Sequence, residues 1–294
     1  MLRSYDIQGN RQRLDGGAMF GNAPRALWSR WYPPDEQGRI ELCCRALLIE
    51  TDRKRILFET GIGVFFPPEL KERYGVVEPE HVLLHSLAAR GLSDADIDIV
   101  MLSHLHFDHA GGLLAPWQPG HGERLLFPKA QFVVGREAFE RAKSPHPRDR
   151  ASFIPSLPSL LEASGRLHVI DATEDTSTIF GTSRISFIES FGHTPGMLHA
   201  VVTGQHERLV FCADLVPGVP WVHLPITMGY DRFPEKLIDE KAALFRGSNL
   251  DHSWFFFTHD RATAAARVQL DEKGRYQAHA SLATLDGWDL DAPH

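Results

Sequence analysis

The stretch Ser103-His104-Leu105-His106-Phe107-Asp108-His109-Ala110-Gly111-Gly112 decides how the rest of the chain is read. Between His104 and His109 it places three imidazoles and one carboxylate in six positions. At this chain's own histidine and aspartate frequencies, an H-x-H-x-D-H string should arise by chance on the order of 0.003 times, which sets it apart from coincidence. The preceding run, Ile97-Asp98-Ile99-Val100-Met101-Leu102, is apolar and β-branched and predicts a buried strand. Side chains alternate along a strand, so a chain still extended at His104 aims His104 and His106 to one side. Asp108 and His109 then fall where the chain turns, and Gly111-Gly112 lets the backbone bend close to them. Two same-sided imidazoles followed by a carboxylate and a third imidazole predict ligands for two metal ions. The competing expectation, a histidine-rich surface loop, gives that spacing no cause.

Three later clusters share one form, a strand that ends on a ligand-type residue. Phe191-Gly192-His193-Thr194-Pro195-Gly196 sets His193 in a glycine-bounded turn after a predicted strand at 185–190. Phe211-Cys212-Ala213-Asp214 ends another strand on a carboxylate. Phe255-Phe256-Phe257-Thr258-His259-Asp260 ends a very apolar strand on an imidazole. Each alone fits a structural role equally well, but loops at strand ends are where sites gather. With the first motif they supply five histidines and two aspartates.

The chain has 294 residues, 43% of them hydrophobic, enough to bury a large core. No repeat and no linker divides it, so a single domain over 1–294 is expected. A net charge of −7 and a pI near 6.1 weigh against a nucleic-acid partner, which calls for a basic face. No apolar run reaches the ~18 residues of a membrane span. Residues 1–15 lack the apolar core of a signal peptide, so a cytoplasmic location is expected. Cys43, Cys44 and Cys212 are odd in number and include an adjacent pair, which is no disulfide framework.

Residues 1–40 read as irregular, with Gly16-Gly17, Gly21 and Pro33-Pro34 among Met19, Phe20, Trp28, Trp31 and Tyr32. So long and aromatic a segment either lines a pocket or packs on the core or on a second subunit of a homodimer. Ile40 to Glu50 reads as one strand and Arg55 to Glu59 as its returning partner. Residues 79–90, 136–143, 157–164 and 235–246 carry helical spacing. Strands are expected at 130–134, 185–189, 198–203, 208–212 and 254–257, and a last hairpin over roughly 265–280. This is a mixed α/β chain of sheets covered by helices.

In its order H-x-H-x-D-H, then G-H-T-P-G, A-D and T-H-D, the chain resembles the metallo-β-lactamase superfamily. The likeness runs from Leu57-Phe58-Glu59-Thr60-Gly61 to Thr258-His259-Asp260. It implies a four-layer αβ/βα sandwich, two mixed sheets face to face with helices outside. It also implies that His104, His106 and His193 hold one metal ion, that Asp108, His109 and His259 hold the other, and that Asp214 bridges both. Such donors suit Zn²⁺ first, with Fe, Mn or Co as alternatives. Two divalent ions would lower the pKa of a bridging water enough to give hydroxide near neutrality.

Within the superfamily the chain is most similar to the N-acyl homoserine lactonase-like and quorum-quenching lactonase branch. Asp15-Gly16-Gly17-Ala18-Met19-Phe20-Gly21 carries this likeness, as do Ala213-Asp214-Leu215-Val216-Pro217 and Met228-Gly229-Tyr230-Asp231. The resemblance implies a metal-dependent hydrolase of a small-molecule ester or lactone, with a bridging hydroxide as nucleophile and Asp108 as proton shuttle. Phosphotriester or aryl-ester cleavage by the same site, or an iron-loaded redox enzyme, are the alternatives. Phe20, Trp28, Trp31, Phe65, Trp221, His223, Met228 and Tyr230 are the candidates for the substrate pocket. Two departures stand out. The lactonases' tyrosine three residues after the bridging aspartate is Pro217 here, which leaves Tyr230 as a substitute or a packing residue. Their Asp-Thr-Gly turn is Glu59-Thr60-Gly61, where Glu59 is expected to orient a ligand imidazole.

Overall fold

Along Ile99–Leu102 all four side chains are buried, yet they serve two different cores. Ile99 and Met101 join one apolar cluster; Val100 and Leu102 join another. Leu47 and Ile49 divide from Leu48 in the same way. Alternate residues of a strand face opposite sides, so a strand covered on both faces must be apolar throughout. A slip of one residue would exchange the two faces, which fixes the register.

The computed structural model describes residues 1–294 and holds two mixed sheets. The first runs Asp286–Asp289, Leu2–Ile7, Ala46–Thr51, Arg55–Phe58, Ile99–Leu102, Gln131–Gly135 and Leu167–Ile170, its last four strands mutually parallel. The second runs Tyr276–Leu282, Ala265–Leu270, Ser253–Phe256, Arg208–Phe211, Met197–Thr203 and Ile185–Ser190, with one parallel pair, Arg208–Phe211 beside Ser253–Phe256. Between the sheets, Phe58 and Met101 meet Ala200, Phe211 and Phe256 in the larger core. Outside the first sheet, Leu83, Phe139 and Leu161 pack from the helices Val82–Ala88, Arg136–Lys143 and Leu157–Ala163. Outside the second, the helix Pro234–Gly247 buries Leu237, Leu244 and Phe245. The fold is thus the expected αβ/βα sandwich. No helix is long and apolar enough to cross a membrane.

Two local expectations need correction. Residues 1–40 are not irregular throughout: Leu2–Ile7 is an interior strand of the first sheet, and Gln12–Asp15 pairs with Arg39–Leu42. Its inward positions include Ser4, which donates to Trp288 O, and Asp6, which accepts from Leu285 N. Those satisfied polar groups hid the apolar alternation. The strand expected over Ile40 to Glu50 is also two strands. Between them Cys43 N and Arg45 N donate to the carbonyls of His259 and Thr258, drawing the chain toward a loop of the second sheet.

Candidate metal centre

Each ligand-type residue sits just past a strand end. The strand Ile99–Leu102 stops short of His104, and the helical turn Phe107–Ala110 carries Asp108 and His109. Extended backbone at His106 still sets the His104 and His106 rings edge to face, 4.4 Å between centroids. His193 follows Ile185–Ser190, Asp214 lies in the turn Ala213–Leu215 after Arg208–Phe211, and His259 follows Ser253–Phe256. Gly112 is needed beside the motif, because a Cβ there would lie 2.1 Å from Thr60 O.

The seven side chains converge. His193 Nε2 lies 3.2 Å from His106 Nδ1 and 3.2 Å from Asp214 Oδ2. His104, His106 and His193 offer donor atoms within 4.8 Å of one another. On the other side of Asp214, its Oδ1 is 3.2 Å from both His109 Nε2 and His259 Nε2, themselves 3.2 Å apart. Asp108 Oδ2 joins them at 3.6 Å from His259 Nε2 and 3.8 Å from His109 Nε2. Donors about 3.3 Å apart are what a tetrahedral cation with bonds of ~2.0–2.1 Å requires. All five histidines and Asp214 are buried.

The far sides of four of the five rings are tied down. His109 Nδ1 faces Glu59 Oε2 at 2.5 Å, His193 Nδ1 faces Asp231 Oδ1 at 2.9 Å, and His259 Nδ1 donates to Cys43 O at 2.6 Å. His104 Nδ1 lies 2.9 Å from Ser103 Oγ, which in turn donates to Glu59. Such contacts aim the opposite nitrogen inward, where a cation that displaces its proton can take the lone pair. Glu59 therefore does orient an imidazole. It does so from a backbone with φ of 65°, and Ala213 beside Asp214 has φ of 44°. Left-handed backbone is costly for non-glycine residues and gathers at functional sites.

The donor set fits divalent cations on two further grounds. His104 Nε2 and Asp214 Oδ1 are buried without a hydrogen-bond partner, a costly arrangement unless something binds there. Charge points the same way. Burial, reinforced by neighbouring imidazoles, pushes His104 and His106 well below the ordinary histidine range, so both stay neutral and able to bind a cation. Burial opposes protonation of His109 too, but Glu59, Asp214 and Asp108 raise it well above that range; Asp214 does the same for His259. Burial disfavours the Asp214 carboxylate, yet His109, His193 and His259 hold it well below the usual carboxylate range. The cage is electron-rich and draws positive charge.

A cavity of about 150 Å³ opens onto the centre, floored by His106, Asp108, His193, Asp214 and His259. Of the pocket candidates, Met228 and Tyr230 line it. Phe20, Trp28, Trp31 and Trp221 instead stack together with Tyr32, Phe20 lying 4.5 Å from Trp221 and 5.7 Å from Trp28. Phe65 packs on Phe66, and His223 opens to a separate surface groove beside Trp31. Sequence reasoning passed over Leu14, Tyr74, Phe107 and Ala151, which complete the apolar wall. The x position of H-x-H-x-D-H nearest Asp108 could have flagged Phe107.

The model of the metallo-beta-lactamase superfamily matches residues 44–259. The chain belongs to this superfamily. The chain's curated relatives include a probable metallo-hydrolase of Mycobacterium tuberculosis, 26% identical over 189 residues, 60% of this chain and 57% of that protein's length. The match thus spans little more than half of that relative. Among solved structures, a probable metal-dependent hydrolase from Staphylococcus aureus superposes with a TM-score of 0.82 at 27% identity, covering 96% of this chain and 98% of the other. AidC, a dizinc quorum-quenching lactonase in complex with a product, superposes with a TM-score of 0.74 at 20% identity, covering 95% and 94%; at that identity the likeness is one of fold. Superfamily membership and the histidine-rich donor set together mark this cage as the chain's candidate metal centre.

Proposed function

We propose that the protein hydrolyses the ester bond of a small uncharged substrate, preferentially a lactone, at a two-metal centre. The observation that carries this reading is the cavity itself. Its floor is metal-donor atoms, its walls are Leu14, Met19, Phe107, Met228 and aromatic rings, and no lysine or arginine lines it. Away from the metal floor the walls offer an anionic arm no lysine or arginine to pair with, whereas the apolar arm of a neutral ester finds matching surface. The quorum-quenching lactonase AidC shares the fold, which is consistent with this substrate class.

His104, His106 and His193 would hold one ion, Asp108, His109 and His259 the other, with one Asp214 oxygen turned to each set. When bound, two such ions, zinc by donor type, supply a water acidified to near neutrality and a Lewis acid for the carbonyl. The chain's own residues do the rest. Asp108 is 15% exposed and borders the cavity, so it can pass a proton to the leaving oxygen. Burial raises the Tyr230 phenol, with Asp108 and Asp15 adding to it, so it stays protonated as a hydrogen-bond donor at the cavity edge. Met19, Met228 and Phe107 exclude water around the apolar arm.

The test is a panel of acyl lactones, aryl esters and a phosphotriester, run on zinc-loaded protein and on protein stripped by chelator. Lactone turnover that vanishes on stripping and returns with zinc is expected. Turnover that survives complete metal removal, or iron-dependent oxygen consumption with no ester cleavage, would refute the proposal.

A further inference from the structure

One fully buried cation lies outside the donor cage. Lys241, on the helix Pro234–Gly247, is 0% exposed. Its Nζ donates to three backbone carbonyls, those of Ile226 at 2.6 Å, Trp221 at 3.1 Å and His223 at 3.4 Å. No carboxylate stands within ion-pair distance. These carbonyls belong to the segment that leads from Asp214 to Met228, Tyr230 and Asp231. Asp231 accepts from Met228 N at 2.7 Å and faces His193 Nδ1 at 2.9 Å. Trp221 also donates from Nε1 to Met19 O at 3.1 Å, linking the segment to the opposite wall of the cavity.

The preceding residue works on the other end of the same ligand. The Glu240 carboxylate accepts from Phe191 N and Gly192 N, both at 2.9 Å, in the turn that carries His193. Helix and turn touch so closely that a Cβ on Gly192 would lie 2.5 Å from Leu237. Two consecutive side chains of opposite charge therefore grip His193 from both ends, its backbone through Glu240 and its ring through Lys241 and Asp231.

We propose that Glu240 and Lys241 are positioning residues for His193, and that the three N–H donors of the Lys241 ammonium hold the segment 219–231 in place. This regulates the proposed hydrolytic site and rests on the reading of His193 as a ligand. A neutral amine has only two N–H donors and turns its lone pair toward the third carbonyl, so loss of the proton loosens the segment. Burial pushes this ammonium down to about 7, within the physiological range. Asp231 is the acid that acts on it. His223 shares its surroundings, with Arg275 and Asp271 beyond, and burial, Arg275 and Lys241 together lower that imidazole.

Amide hydrogen exchange of the full chain, with and without zinc, reads the proposal directly. After correction for the intrinsic pH dependence of exchange, the peptide spanning 219–231 should exchange about tenfold faster at pH 9 than at pH 6 in the wild type. Lys241→Arg, which keeps its charge, should remain protected at both pH values, and Lys241→Met should be unprotected at both. Glu240→Gln should weaken zinc binding in chelator competition by roughly tenfold without altering that exchange profile. A wild-type profile that is flat with pH overturns the proposal without any variant, as does an identical pH course in Lys241→Arg. The exchange measurement needs no substrate, so a protein that cleaves no ester sinks the hydrolytic reading and leaves this one to stand or fall separately.

Discussion

Glu59 Oε2 lies 2.5 Å from His109 Nδ1, and the second oxygen of the same carboxylate accepts from Ser103 Oγ, which sits 2.9 Å from His104 Nδ1. One buried glutamate therefore orients an imidazole in each of the two donor sets, one directly and one through a hydroxyl. The longer side chain, an oddity when read in sequence, has the reach that this double task needs.

Removing that reach should weaken both ions. Glu59→Asp is expected to lower metal affinity by about 10–100-fold, as the loss of such outer contacts commonly does. Ser103→Ala should affect only the set containing His104. Isothermal titration with zinc into stripped protein, resolving two binding steps, checks both; an unchanged Glu59→Asp isotherm would contradict the arrangement.

At the cavity edge, the Tyr230 hydroxyl makes no hydrogen bond within the protein, although the residue lines the cavity beside Asp108 and Met228. Tyr230→Phe should lower kcat by about tenfold, the worth of one hydrogen bond of ~1.4 kcal/mol in the transition state. KM should hardly change. Met228→Ala, which removes apolar wall, should mainly raise KM. Steady-state kinetics on a lactone separate the two effects.

Acid should destabilise the fold through two histidines outside the donor set. Burial pushes His81 and His199 each down to about 4. Their unfolded value is near 6.5. Between these values the unfolded chain binds the proton that the folded chain refuses, so stability falls as pH drops from about 6.5 toward 4, by up to about 3 kcal/mol for each. Urea melts at pH 7 and pH 5 read this slope, and His199→Gln should make it shallower. An equal slope in that variant would show that His199 takes no part.

Gly192→Ala should cost about 1–3 kcal/mol, because its Cβ would meet Leu237 at 2.5 Å and push helix and turn apart. The same displacement moves His193, so zinc affinity should fall along with the melting temperature. Thermal unfolding with and without zinc measures the two together.

Much of this centre was legible because its residues announce themselves. An H-x-H-x-D-H string has few other uses, Asp214 and His259 each follow a strongly apolar run that ends abruptly, and His193 sits in a glycine-bounded turn after an alternating strand. The two-faced burial of Ile99–Leu102 was equally plain as an unbroken apolar stretch. What escaped notice follows from long-range pairing. The strand Leu2–Ile7 hides its period behind Ser4 and Asp6, whose partners Trp288 and Leu285 lie at the far end of the chain. Aromatic content pointed to Phe20, Trp28 and Trp221 as pocket walls, whereas those rings satisfy one another. Leu14 and Ala151 line the cavity by position alone, with nothing in their side chains to mark them.

His104, His106, Asp108 and His109 hang from one sheet; His193, Asp214 and His259 hang from the other. Any ion held between them is a rivet through both leaves of the sandwich. Chelation should accordingly do more than silence chemistry: it should let the leaves part along their seam, lowering the unfolding temperature and baring the loops at that rim to proteases. For this protein, the readiness to react and the cohesion of the two halves would then be gained and lost in a single event.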